Sequence, residues 1–203
     1  MTERQNLFFC GTSNVVLPVA NKALFPVSHQ DKTRLSYYGS LCNSVEINST
    51  FYRLPMPRTV ERWAGEVPDD FRFTFKLWRE ITHAKELIYD AYDVGRFMDI
   101  INRIGEKKGC LLVQFPASIR RSFFHKVRKL LDQLASNAIN GWKLAVEFRD
   151  TSWYDDTVYE MLEQYHASVV EHDMPKSATP LIDMTQRFHY LRFHGENGDY
   201  RGS

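Results

Sequence analysis

The stretch Leu144-Ala145-Val146-Glu147-Phe148-Arg149 decides the fold. It begins apolar and then carries a charge at every second position. Ser44-Val45-Glu46-Ile47-Asn48-Ser49-Thr50 and Tyr190-Leu191-Arg192-Phe193-His194 repeat the pattern. A strand sends alternate side chains to opposite faces, so Glu46/Asn48, Glu147/Arg149 and Arg192/His194 are same-face pairs. The residues between them are strongly apolar and the upstream halves are apolar on both faces, as in a buried parallel sheet. Polar pairs at the downstream ends of such strands are the pattern of an α/β active site.

Outward from these segments, short apolar runs alternate with helical patterns. Strands are expected at Leu7–Cys10, Ser44–Phe51, Phe71–Leu77, Cys110–Gln114, Lys143–Phe148, Ser168–His172 and Phe188–Phe193. Amphipathic stretches lie between them. Asp93–Ile104 aligns Phe97, Ile100, Ile101 and Ile104, and Arg121–Leu134 aligns Phe124, Val127, Leu131 and Leu134 behind a possible cap at Ser122. Asp155–His166 turns Val158, Met161, Leu162 and Tyr165 inward, with Asp155 and Asp156 favourably at its N-terminus. Asp173–Gln186 carries Pro175 and Pro180 and reads as a long loop. Strands separated by crossover helices, with no Gly-rich phosphate loop after the first, predict an α/β, TIM-barrel-like (β/α) barrel of about seven visible strands. A full barrel has eight units in about 250 residues. Either the last βα unit is missing from these 203 residues or the chain is a fragment; residues 1–203 are expected to form one domain.

Bulk composition narrows the function classes. The chain is 43% hydrophobic and 25% charged with a formal net charge of +1, so any anion site must be local rather than a global basic surface. Cys10, Cys42 and Cys110 are far apart and lack CxxC spacing, which points to neither a disulfide framework nor a thiolate zinc site. No secretion signal and no apolar run of ~20 residues is visible, so a cytoplasmic location is expected.

In a parallel barrel, polar groups at the strand C-termini converge on one mouth. Here they are Thr12 and Ser13 after the first strand, Glu46, Asn48 and Thr50 on the second, Lys76 on the third and Gln114 on the fourth. Glu147, Arg149 and Asp150 end the fifth, Asp173 follows the sixth, and Arg192 and His194 end the seventh. His83 sits in the loop after the third strand. Trp153 is a candidate aromatic wall or, alternatively, a cap on the barrel rim. Glu46 and Glu147 are candidate general bases and His83 and His194 candidate general acids. Asn48, Tyr52, Lys76, Gln114, Arg149, Trp153, Asp173 and Arg192 form the candidate ligand-binding set. The structural alternative is that Glu46 and Glu147 only pair with Arg149 or Arg192 inside the barrel.

The ordered motifs Val45-Glu46-Ile47-Asn48-Ser49-Thr50-Phe51-Tyr52-Arg53, Phe71–Lys76, Ile81–His83, Gln114–Pro116, Ala145–Arg149 with Ser152-Trp153, and Tyr190–Gly195 with Tyr200–Gly202 cover nearly the whole chain. In these the sequence resembles the YecE-like family, domain of unknown function 72. The resemblance implies a TIM-barrel-like fold and no established reaction. Its usual opening Gly-Thr-Ser-Gly-Trp reads Gly11-Thr12-Ser13-Asn14-Val15 here, and its members continue beyond the Tyr-Arg-Gly motif.

Three functions compete. The first is an enzyme, a hydrolase among the candidates, acting on a phosphorylated or nucleic-acid substrate held by Lys76, Arg149 and Arg192. Interleaved cations argue for an anion pocket without metal, and no cofactor is implied. The second is a non-catalytic nucleic-acid or phosphometabolite binder that also uses the basic residues Arg120, Arg121, Lys126, Arg128 and Lys129. The third is a sugar- or small-acid-processing enzyme with Trp153 stacked on its ligand. No membrane partner is expected.

Overall fold

The computed structural model describes residues 8–137, 140–181, 186–195 and 197–198. Chain order is α1 (Arg34–Tyr38), β1 (Ser44–Ile47), α2 (Ser49–Tyr52), α3 (Pro57–Gly65), β2 (Arg72–Lys76), α4 (Arg79–Thr82) and α5 (Ala91–Ile101). There follow β3 (Lys108–Phe115), α6 (Phe124–Ser136), β4 (Lys143–Phe148), α7 (Asp156–Gln164), β5 (Ser168–His172) and β6 (Tyr190–Arg192). The six strands among the described residues lie in sequence order, every neighbouring pair parallel, as a curled half-barrel. That architecture is consistent with a TIM-barrel-like fold, with six strands among the described residues where about seven are expected.

The expected first strand forms no strand of the sheet among the described residues. Leu7 lies outside the described residues, and Phe8 to Cys10 join no ladder. The side chain of Asn43 takes the place of a strand partner: its Oδ1 accepts from Cys10 N at 2.8 Å and its Nδ2 donates to Phe8 O at 2.9 Å. Farther on, Glu46 N donates to Thr12 O at 3.1 Å and Asn14 N to Glu46 O at 2.7 Å, a single parallel bridge beside β1. A Cβ on Gly11 would stand 2.0 Å from Ser44 O, so this close approach requires glycine.

Period two sorts the strand residues into two layers. Val45, Ile47, Phe73, Phe75, Leu111, Val113, Phe115, Leu144, Val146, Phe148 and Val169 pack outward with the buried faces of α5, α6 and α7 in the main core. Inside the curl Cys110, Leu112, Ala145 and Val170 form a smaller apolar cluster against Phe188 and Tyr190. Above that cluster the lining turns polar. Parallel pairing brings Gln114 level with Glu147 and His172 level with Arg192.

The helices follow the expected faces with shifted ends. Asp90 caps α5 through Tyr92 N at 2.9 Å, earlier than the expected start, and the helix passes into a 3₁₀ turn at Asn102–Lys107. Ser122 lies within a 3₁₀ turn ahead of α6 and does not cap it. Asp155 caps α7 through Val158 N at 2.9 Å. The described part of the β5–β6 connection contains no helix, as its prolines dictate. No helix among the described residues is long and apolar enough to cross a membrane.

Candidate functional site at the mouth of the half-barrel

Strand β1 ends at Ile47, because Asn48 already has right-handed helical angles and Ser49–Tyr52 forms one helical turn. Thr50, expected on the strand, is buried in that turn. Its hydroxyl shares one proton between Ile47 O at 2.9 Å and Lys76 O at 2.8 Å, locking the ends of β1 and β2 together.

The polar strand ends form one hydrogen-bonded chain. Arg192 is buried and spans two carboxylates. It donates to Glu46 through Nε at 3.0 Å and Nη2 at 2.8 Å, and to Glu147 through Nη1 at 2.6 Å. The second oxygen of Glu147 accepts from Arg149 Nε. Arg149 Nη2 lies 3.1 Å from His194 Nε2, and His194 Nδ1 lies 3.0 Å from Asp173 Oδ1. A guanidinium only donates, so His194 Nε2 is the acceptor and Nδ1 carries the proton given to Asp173. Asp173 also accepts from His194 N at 2.6 Å. At the far end Glu46 accepts from Tyr190 Oη at 2.8 Å and Ser13 Oγ at 2.9 Å, and Asn48 donates to Ser13 Oγ. The chain thus runs from Asp173, just past β5, to Asn48, just past β1.

Charge follows from these contacts. Burial alone would raise the Glu147 carboxyl, but the Arg192 and Arg149 guanidiniums more than offset it and hold it below the ordinary glutamate range. Burial would strip the proton from Arg192, yet Glu46 and Glu147 hold it firmly charged. His194 and His172 are pushed down chiefly by burial. Every oxygen of Glu46 and Glu147 accepts at least one hydrogen bond.

Lys76 behaves differently. It sits at the end of β2, and among the described residues no carboxylate is in ion-pair contact with it. Its Nζ stands 4.3 Å over the Phe51 ring. Burial, then the Arg192 charge, pull its pKa down to about 8 against the opposing pull of Glu147 and Glu46. His83 packs edge-on against the same ring at 4.8 Å. Burial, Lys76 and Arg79 lower His83 to about 4, so its ring is neutral. Thr82 Oγ1 lies 2.9 Å from His83 Nδ1.

Two acceptors in this region lack a partner among the described residues, Asn48 Oδ1 and His172 Nδ1. His172 Nε2 donates to Phe148 O at 3.2 Å, which leaves Nδ1 as the lone-pair nitrogen. His172 escapes a reading confined to the three conspicuous strands. The alternation Ser168, Val170, His172 carries the signal.

Other expected members stand apart. Trp153 is 0% exposed, stacked on Phe148 at 4.5 Å in the outer core, with Nε1 donating to Ile119 O at 2.7 Å. It follows Phe148 into the helix layer and offers no wall to the mouth. Tyr52 is largely exposed and packs edge-on against Phe51. Gln114 is half-buried beside Glu147. Tyr200 and Arg201 lie outside the described residues. Near α6, Arg120 pairs with Asp150 at 3.6 Å, Arg121 with Asp155 at 2.9 Å, and Lys126 donates to Glu86 O at 2.7 Å, so the basic cluster is partly neutralised.

The model of the family described as "Protein of unknown function DUF72" matches residues 9–203. The chain belongs to the DUF72 family. Relatives agree: UPF0759 protein YecE of Escherichia coli (strain K12) is 36% identical over 86 residues, 42% of this chain and 32% of that protein. UPF0759 protein YunF of Bacillus subtilis (strain 168) is 23% identical over 195 residues, 86% of this chain and 66% of its own length. The chain therefore spans less than two thirds of these relatives. A DUF72 family crystal structure from Thermotoga maritima MSB8 is similar with a TM-score of 0.69 and 29% identity, covering 93% of this chain and 75% of that one. One from Enterococcus faecalis V583, at 22% identity and a TM-score of 0.66, covers 79% and 69% and supports the fold. In this DUF72 chain Asn14 occupies the left-handed region at φ 61°. Asparagine tolerates that conformation better than other residues with a Cβ, which explains how it stands where the family's opening motif has glycine.

Proposed function

We propose that the mouth of the half-barrel binds a small phosphate-class anion, with Lys76 and Arg149 as its cationic contacts and the Glu46–Arg192–Glu147 clamp as their support. The observation that carries this reading is Lys76, a largely buried cation without an ion-pair partner among the described residues, beside Arg149 and Arg192. An anion entering there meets positive charge already desolvated by folding. Arg192 is buried between two carboxylates and serves as a fixed positive field rather than a contact.

The reading extends to a hydrolase acting on a phosphorylated substrate. His83 supplies the proton-transfer group, because its neutral ring lies beside Lys76 while both glutamates and the Nε2 of His194 are engaged. A small ligand fits better than nucleic acid tracking α6, since Asp150 and Asp155 already neutralise Arg120 and Arg121.

Calorimetric titration of inorganic pyrophosphate into the chain tests the reading. Binding is expected to weaken as salt rises and to fall about tenfold or more in Lys76→Met, the loss of a charged hydrogen bond. Equal affinity in Lys76→Met, or no heat with the unaltered chain, overturns it.

A further inference from the structure

Lys76 is a costly choice if it is only an anion contact. The guanidiniums around it, not the amine, hold the carboxylates of the mouth. Every other charged side chain in the Glu46–Asp173 chain is engaged by an opposite charge or a hydrogen bond, whereas the Lys76 amine rests on the face of Phe51. The ring covers one side of Nζ with apolar surface. The ring face itself favours the ammonium, and it is burial with the neighbouring Arg192 and Arg149 charges that disfavours that form, the arrangement by which a lysine becomes a nucleophile. The two orphan acceptors, Asn48 Oδ1 and His172 Nδ1, would each welcome a hydroxyl donor.

We propose that Lys76 is an amine nucleophile that forms an imine with a small hydroxylated aldehyde or ketone bearing a phosphate. The proposal rests on the anion-binding reading, with Arg149 keeping the phosphate while Lys76 takes the carbonyl. The lone pair of Nζ attacks the carbonyl carbon and forms the C–N bond, and the carbonyl π pair moves to oxygen, which takes up a proton. The resulting carbinolamine loses that oxygen as water, carrying away both amine protons, and C=N forms. No oxidant or reductant enters. With a pKa of about 8, roughly a quarter of Lys76 is uncharged at pH 7.5, against about one part in a thousand for an ordinary lysine.

The test is reductive trapping of the full chain with glyceraldehyde 3-phosphate and sodium cyanoborohydride, followed by peptide mass mapping. Lys76 is expected to be alkylated at least tenfold faster than the exposed Lys22 and Lys32, with inorganic phosphate competing and half-maximal rate near pH 8. The same treatment of Lys76→Arg should leave only the slow surface labelling, its fold checked by circular dichroism. Fast Lys76 labelling that is equal with unphosphorylated glyceraldehyde and indifferent to phosphate keeps the nucleophile and overturns the anion site. Lys76 labelling no faster than Lys22, in a chain that still binds pyrophosphate, overturns the imine and leaves the anion site standing. Failure of both overturns both.

Discussion

At the scale of single residues, Arg192 holds the site together. It is buried and shared between Glu46 and Glu147, so removing it leaves two carboxylates facing each other without compensation. Arg192→Ala is expected to cost about 3–5 kcal/mol, read from the urea midpoint, whereas the apolar-neutral triple Glu46→Gln, Glu147→Gln, Arg192→Met should recover most of it. A loss below about 1 kcal/mol for Arg192→Ala would show that the clamp bears no load. His83 gives a second prediction. Its folded pKa of about 4 lies below the ordinary histidine value, so only the unfolded chain takes up its proton between about pH 6.5 and pH 4. Stability therefore falls as pH drops through that window, and the contribution vanishes above it. Melting curves of His83→Asn should fall less steeply across the same window; parallel curves would contradict the assignment.

At the scale of elements, two unions of neighbouring chain segments invite tests. Asn43 substitutes for a strand by pairing with both Phe8 and Cys10. Asn43→Ala should cost about 1 kcal/mol and speed native-state proteolysis ahead of Gly11; unchanged cleavage would show that the segment is held otherwise. The register of β2 and β3 shifts between Phe73 and Phe75, and a Cβ on Gly109 would approach Phe73 O to 2.8 Å. Gly109→Val should lower the urea midpoint by the equivalent of about 1–3 kcal/mol, and a neutral result would mean that the ladder adjusts freely. The elements themselves were largely legible. Alternation in Leu144–Arg149 gave β4 and its inward pair, and the apolar spacing of Val127, Leu131 and Leu134 gave α6. What escaped was decided by side chains acting on backbone. Neither Asn43 standing in for a strand partner nor Asn48 turning β1 into a helix leaves a periodic trace. Trp153 escaped for another reason: its place depends on Phe148 facing the helices, a parity that local sequence does not fix for a residue five positions on.

At the scale of the molecule, the sheet is an open curl whose first and last strands share no ladder. Side chains join them instead, Arg192 and Tyr190 of β6 reaching Glu46 of β1 across the mouth. The same contacts that draw the edges together also organise the charge within, so scaffold and site are one network. Sequence alone located its members, since Glu46, Glu147, Arg149, Arg192, His194 and Asp173 all lie in it. It could not assign partners, because which carboxylate meets which guanidinium depends on curvature. That pairing leaves Lys76 over, and the anion-binding account turns on it. The most direct measurement is a crystal of the chain soaked in arsenate, located by its anomalous scattering. The account predicts an arsenate within hydrogen-bond distance of Lys76 Nζ and Arg149, absent from Lys76→Met crystals. A mouth without arsenate, while the anion occupies other surface sites, would contradict it.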